Sequence, residues 1–216
     1  MDNDIKKEIQ ILADKYATNL KDKVDQRVED MKLDNKDHYL VYRVLGVADQ
    51  EGDLIDLYQN KGRFLYKYAG SFLEEAAAIC FVHKFGEQNA KKLKIDNTLG
   101  VRPKQYEIDC LVNEKDAHEI KWRDATTDGD HITKEHNRIQ VIKQAGYTPI
   151  RVMFFYPNRS QAIRIQKTLE TLYHGVGGYY YYGDFAWKYI KDYTGIDLRS
   201  ILEQISNENL EHGKND

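Results

Sequence analysis

The stretch that decides the fold is Gln105-Tyr106-Glu107-Ile108-Asp109-Cys110-Leu111-Val112, then Asn113-Glu114-Lys115-Asp116, then Ala117-His118-Glu119-Ile120-Lys121-Trp122-Arg123. Two apolar runs separated by a short polar turn predict a β-hairpin. Side chains alternate across a strand, which sets Tyr106, Ile108, Cys110 and Val112 on one face and Asp109 with Leu111 on the other. On the second strand Glu119 and Lys121 share a face, opposite His118, Ile120 and Trp122. Asp109, Glu119 and Lys121 therefore interrupt otherwise apolar strands, and the hairpin brings them to one edge.

Two carboxylates and a lysine so placed suit metal-assisted hydrolysis. Cleaving a phosphodiester calls for a hard cation that neutralises the phosphate and lowers the pKa of the attacking water, and such cations take oxygen ligands. A lysine beside them can hydrogen-bond the water or phosphate and stabilise charge in the transition state. Spacing alone leaves a second reading open, in which the same residues are cross-strand charge pairs on a solvated hairpin.

Around the hairpin the pattern continues. Ser71 followed by Glu74 forms a capping box for a helix with Phe72, Leu73, Ala76, Ala77 and Cys80 on its apolar face, running to Phe85 and stopped by Gly86. After Gly129, a helix carrying Ile132, Ile139 and Ile142 ends at Gly146, and Pro149 to Tyr156 is an apolar strand. Asn158 is expected to cap a further helix through Leu172. The order helix, strand, strand, helix, strand implies an α/β fold with a central mixed sheet flanked by helices.

At the N-terminus, Ile5, Ile9, Leu12, Tyr16, Leu20, Val24, Val28 and Met31 recur at spacings of three and four, the stripe of one long helix facing the core or a second subunit. The stretch from Leu33 to Arg63 predicts no particular architecture. Near the C-terminus, Gly177 and Gly178 introduce Tyr179 to Tyr182, which are expected to pack at a sheet edge rather than stack on bases. Phe185 to Tyr193 and Leu198 to Ile205 read as short helices.

The order of elements, with Asp109 and Glu119-Ile120-Lys121, resembles the PD-(D/E)XK nuclease superfamily. The longer run from Glu119 through Trp122-Arg123-Asp124-Ala125-Thr126-Thr127-Asp128-Gly129-Asp130-His131-Ile132-Thr133-Lys134-Glu135, continuing to Pro149-Ile150-Arg151-Val152-Met153 and Tyr156-Pro157-Asn158-Arg159, resembles the ApaLI-like type II restriction endonucleases. Ile108 stands where the superfamily's name-giving proline would be. The resemblance covers roughly residues 65 to 195. It implies magnesium, one or two ions per site, held by Asp109, Glu119 and the Ile120 carbonyl, with Lys121 positioning the nucleophile. A helix glutamate often joins such a set; with Glu74 engaged in the capping box, Glu75 is the expected member. The implied substrate is double-stranded DNA at a palindromic site, cut by a homodimer that leaves 5′-phosphates. Arg123, Lys134, His136 and Arg138 beside the cleft, and Lys104 ahead of the hairpin, are the expected DNA contacts. The organisation expected is one nuclease domain over 1–216: a helical region 1–64 for dimerisation or DNA contact, a catalytic core 65–160, and C-terminal helices 161–216.

Composition is compatible with this. A formal charge of −3 and a pI near 6.2 argue against indiscriminate coating of nucleic acid, though not against a local basic cleft. No apolar run is long enough to span a bilayer, the polar start Met1-Asp2-Asn3-Asp4 is unlike an export signal, and a cytoplasmic protein without a nucleotide cofactor is expected. Cys80 and Cys110 sit in apolar runs and read as core residues. His131 and His136 lie five apart, about 140° around a helix, unlike the four-residue spacing of zinc-binding helical pairs. Two alternatives share the site's chemistry or its substrate: a repair or junction-resolving nuclease, and a non-catalytic DNA-binding module.

Overall fold

A computed structural model describes residues 2–123 and 129–211; the run 124–128 and the side chains of Asp130 and His131, all within the quoted resemblance, lie outside the described residues, as does the side chain of Asp2. The element order is α1 (Asp2–Leu33), α2 (Tyr39–Val44), α3 (Asp49–Phe85), β1 (Ala90–Asp96), β2 (Gln105–Val112), β3 (Asp116–Lys121), α4 (Gly129–Gln144), β4 (Thr148–Met153), α5 (Ser160–Gly175), β5 (Tyr179–Tyr182), α6 (Asp184–Thr194) and α7 (Leu198–Glu211). The chain forms two compact units. One comprises the residues up to Gln10 together with those from Leu73 onward, the other Ile11–Phe72.

The larger unit holds a mixed sheet of order β1-β2-β3-β4-β5. β1, β2 and β3 form an antiparallel meander, and β4 and β5 continue it in parallel through the helical crossovers α4 and α5. Asn113 and Glu114 both take left-handed backbone angles (φ 51° and 52°), which is what a tight hairpin turn twisting with its strands requires. Ile139, Ile165, Leu169, Tyr173 and Tyr180 close one face of the sheet under α4 and α5. On the opposite face, Phe81 of α3 and Tyr189 and Tyr193 of α6 surround His118. Gly178 is required by close approach: a Cβ there would meet the Pro149 carbonyl oxygen at 2.4 Å.

The expected mixed sheet with flanking helices is present, and several local expectations are corrected. The helix read as starting at Gly70 is the second half of α3, so Ser71 lies within it and its capping box with Glu74 is not formed; backbone N–H groups there are already bonded in the helix. Asn158 does not cap α5, because the chain stays extended through Arg159 (φ −81°, ψ 132°) and no side chain caps the helix. The strict alternation expected of β2 is also broken. Lys91 pairs with Leu111 and Leu93 with Ile108, so Asp109 and Cys110 together oppose the single residue Lys92. This β-bulge lets Ile108 and Leu111 share a cluster with Ala117 and Ile142, and re-aims Asp109. β1 has no counterpart in the sequence reading, since its lysines stand exposed and its apolar period is weak. Tyr179 to Tyr182 form the edge strand β5, as expected of a sheet-edge segment.

In the smaller unit, α2 is held against α3 by hydrogen bonds from Tyr39 Oη to Asp53 (2.8 Å) and Tyr42 Oη to Asp56 (2.9 Å), over Gly52, whose missing side chain leaves room for the Tyr42 ring. Among the described residues, no helix is long and apolar enough to cross a membrane.

Candidate active site

The antiparallel ladder between β2 and β3 ends at Cys110 and His118, so Asp109 and Glu119 stand just beyond the last pair, where the strands part. Asp109 Oδ2 accepts a hydrogen bond from the Ile120 backbone N–H (2.7 Å), tying the bulged strand to β3. Lys121 Nζ lies 2.5 Å from Glu119 Oε1, 3.7 Å from Asp109 Oδ2, and donates to the Ile120 carbonyl (3.1 Å). The hairpin therefore brings together the carboxylates, lysine and backbone carbonyl singled out in the sequence. Both carboxylates are buried while the lysine side chain remains one-third exposed.

Burial and the neighbouring Glu119 push the Asp109 carboxyl up to about 7, against the pull of Lys121 and Arg138. For Lys121, burial disfavours the charge, but Glu119 and Asp109 outweigh it and the pKa rises. A second group of acids adjoins Asp109: one oxygen each of Glu74, Glu107 and Asp109 lies within 4.8 Å of the others. Lys92 Nζ bridges two of them, at 2.7 Å from Glu74 and 3.4 Å from Glu107. The crowded oxygens of Glu74, Glu107 and Asp109 are a donor set that fits a hard divalent cation, which takes oxygen ligands.

Glu74, not Glu75, is the helix carboxylate in this cluster. Neighbours on a helix point about 100° apart, and with no capping box Glu74 is not engaged at a helix start. Arg138, expected to reach DNA, is turned inward instead. It donates to Glu119 Oε1 (2.5 Å), contacts Oε2, and donates to the Glu107 carbonyl. Lys134, His136 and Lys104 are exposed. His136 lies 3.4 Å from Gln140 Nε2, and Arg123 sits over the Trp122 ring.

The sequence reading missed Glu107 and Lys92, although Glu107 stands two before Asp109 in the same strand. It also missed a buried network behind the site. Arg151, the parallel partner of Glu119, donates to Glu135 (2.9 Å), which also accepts from Tyr173 Oη (2.6 Å). Burial raises the Glu135 carboxyl, but Arg151 and then Arg138 override it and hold it at about 2. The network fixes α4 to the sheet, and α4 carries Arg138 onto Glu119. On the other face, burial lowers His118 to about 4, and its ring bonds Tyr189 Oη (2.8 Å) and the Cys110 carbonyl (3.2 Å). It is a neutral structural residue.

A mixed sheet with buried acids and a lysine at the mouth of a hairpin has the groups a hydrolase of phosphodiesters needs. Residues 1–207 match the family model of the ApaLI-like restriction endonucleases, and the chain belongs to that family. It is accordingly a nuclease of a restriction system, with DNA as substrate. No curated protein and no solved structure matches the chain.

Proposed function

We propose that the chain is a type II restriction endonuclease, with the PD-(D/E)XK type of site, that hydrolyses both strands of double-stranded DNA at a specific palindromic sequence, as a homodimer with magnesium. The observation that carries this reading is the convergence of Lys121 on Glu119 and Asp109 where β2 and β3 part. Asp109, Glu119 and the Ile120 carbonyl would hold the ion, with Glu74 as the helix carboxylate in place of Glu75. Magnesium, when bound, neutralises charge at the scissile phosphate and lowers the pKa of the attacking water. Lys121, kept protonated by the two acids, hydrogen-bonds the water or a phosphate oxygen and stabilises the charge that develops. Arg138 holds the Glu119 carboxylate in place from α4. In-line attack of water on phosphorus with departure of the 3′ oxygen leaves a 5′-phosphate and a 3′-hydroxyl. Arg123, Lys134, His136 and Lys104 are the candidate DNA contacts.

The test is a digest of several large unmethylated DNAs with magnesium, followed by sequencing of fragment ends. Discrete fragments sharing one palindromic terminus are expected; absence of discrete fragments overturns the reading. Lys121→Ala is expected to abolish cleavage while sequence-specific binding persists, and full activity in that variant removes Lys121 from the mechanism.

A further inference from the structure

β1 is an outermost strand of the sheet and carries Lys91, Lys92 and Lys94 within seven residues. Lysines on an edge strand ordinarily guard it against pairing with another chain. Lys91 fits that account: it lies 3.5 Å from Glu114, in the hairpin turn at the opposite end of β3 from Lys121. Lys92 and Lys94 are directed elsewhere. The bulge sets Lys92 opposite Asp109 and Cys110, and its ammonium reaches Glu74 (2.7 Å) and Glu107 (3.4 Å). Lys94, two residues on and so on the same face of the strand, is the ladder partner of Glu107 and lies 3.6 Å from its other oxygen.

Four carboxylates, Glu74, Glu107, Asp109 and Glu119, are thus met by four cationic side chains, Lys92, Lys94, Lys121 and Arg138. The formal charge of the group is zero, and one divalent ion held by the oxygens of Glu74, Glu107 and Asp109 makes it +2. The amines able to swing away are the two on β1. Their side chains are 51% and 63% exposed, whereas those of Lys121 and Arg138 are 33% and 15% exposed. Two phosphodiester charges match the excess, and a lysine ammonium binds phosphate as a point charge with three donors. β1 lies beside β2, the strand that carries Asp109, at a strand spacing of about 4.8 Å, so phosphates next to the scissile one pass these side chains.

We propose that Lys92 and Lys94 form a phosphate-binding site for the DNA flanking the scissile bond, released to it when Glu74 and Glu107 ligate a divalent ion. DNA affinity is thereby coupled to the cation through charges of the protein itself. The inference rests on the cation and the DNA substrate of the proposed function, and adds two residues to that site.

Binding of a short fluorescent duplex of arbitrary sequence, followed against salt with calcium or with EDTA, tests it. Each phosphate contact steepens the fall of log affinity with log salt by about 0.9. In calcium, Lys92→Gln/Lys94→Gln is therefore expected to flatten the slope by about 1.8, so that going from roughly 50 to 200 mM salt costs the variant about tenfold less affinity than it costs wild type. In EDTA the two slopes are expected to agree, and Lys91→Gln is expected to follow wild type in both. Calorimetry without DNA is expected to show the double variant binding calcium at least as tightly as wild type, since two competing charges are gone; this separates lost phosphate contacts from a lost ion. A slope in calcium unchanged by the double variant, an equal flattening in EDTA, or an equal effect of Lys91→Gln overturns the inference. A wild type that binds calcium and DNA while its slope ignores both lysines counts against this site alone; a wild type that binds no calcium overturns the cation of the proposed function, and this inference with it.

Discussion

Arg151→Met is the most informative perturbation of stability. Arg151 and Glu135 are both buried (2% and 6% of their side chains exposed), and their 2.9 Å contact joins β4 to α4. Methionine roughly preserves the volume but leaves the Glu135 carboxylate buried with Tyr173 and the more distant Arg138. Breaking a buried pair from one side costs about 3–5 kcal/mol. For a domain of this size, that lowers the melting midpoint by roughly 6–20 °C. Both tryptophans, Trp122 and Trp187, lie in the larger unit, so fluorescence excited selectively at tryptophan, without the tyrosines of the smaller unit, reports on that unit during thermal or urea unfolding. The pH dependence follows from the sign of the Glu135 shift. In the wild type its carboxyl lies at about 2, below its ordinary 4.5, so its contribution is complete above 4.5 and fades as pH falls toward 2. In the variant, burial acts without its main opponent, so the carboxyl titrates higher than in the wild type and protonation relieves the buried charge. The difference between variant and wild type is therefore largest at neutral pH and shrinks under acid. Adding Glu135→Gln, which keeps an acceptor for Tyr173, is expected to recover most of the loss. A single-variant cost below about 1 kcal/mol, the range of exposed pairs, or a double variant no better than the single, refutes the argument.

Further outcomes follow from the site and sheet. Glu74→Gln is expected to weaken binding of calcium, as a non-catalysing probe read by calorimetry, by about tenfold, and Glu75→Gln to leave it unchanged; equal effects would remove the basis for choosing between them. Arg138→Ala is expected to destabilise the larger unit by about 2–4 kcal/mol, less than a fully buried break because Lys121 still pairs with Glu119; a neutral change in urea unfolding would show that Arg138 does not hold Glu119 in solution. Gly178→Ala drives a Cβ into the Pro149 carbonyl and is expected to cost about 1–3 kcal/mol; a midpoint equal to wild type would contradict the close approach of the two chain segments.

Much of the site was legible because the hairpin is local. Apolar alternation, a polar turn and charges at Asp109, Glu119 and Lys121 are written within a few residues of one another, and pairing across a short turn follows from strand geometry. The bulge that re-aims Asp109 was not legible, since it arises from the pairing of β2 with the lysine-rich β1, whose own period is too weak to announce a strand. The start of α3 was misread because Ser71 and Glu74 satisfy a local capping rule that the continuing helix overrides.

By itself, then, the sequence determined the order of elements from the second half of α3 to β4, β1 excepted, the mixed character of the sheet and the residues at the hairpin's edge, since each depends on periodicity or on near neighbours in the chain. Only the tertiary structure decided that Glu74 rather than Glu75 adjoins Asp109, that Arg138 turns inward to Glu119, and that Arg151 is neutralised by Glu135 and backed by Tyr173. These partners come from separate helices and strands. Which of them meet is set by how α3, α4 and α5 pack on the sheet, and no spacing along the chain encodes it.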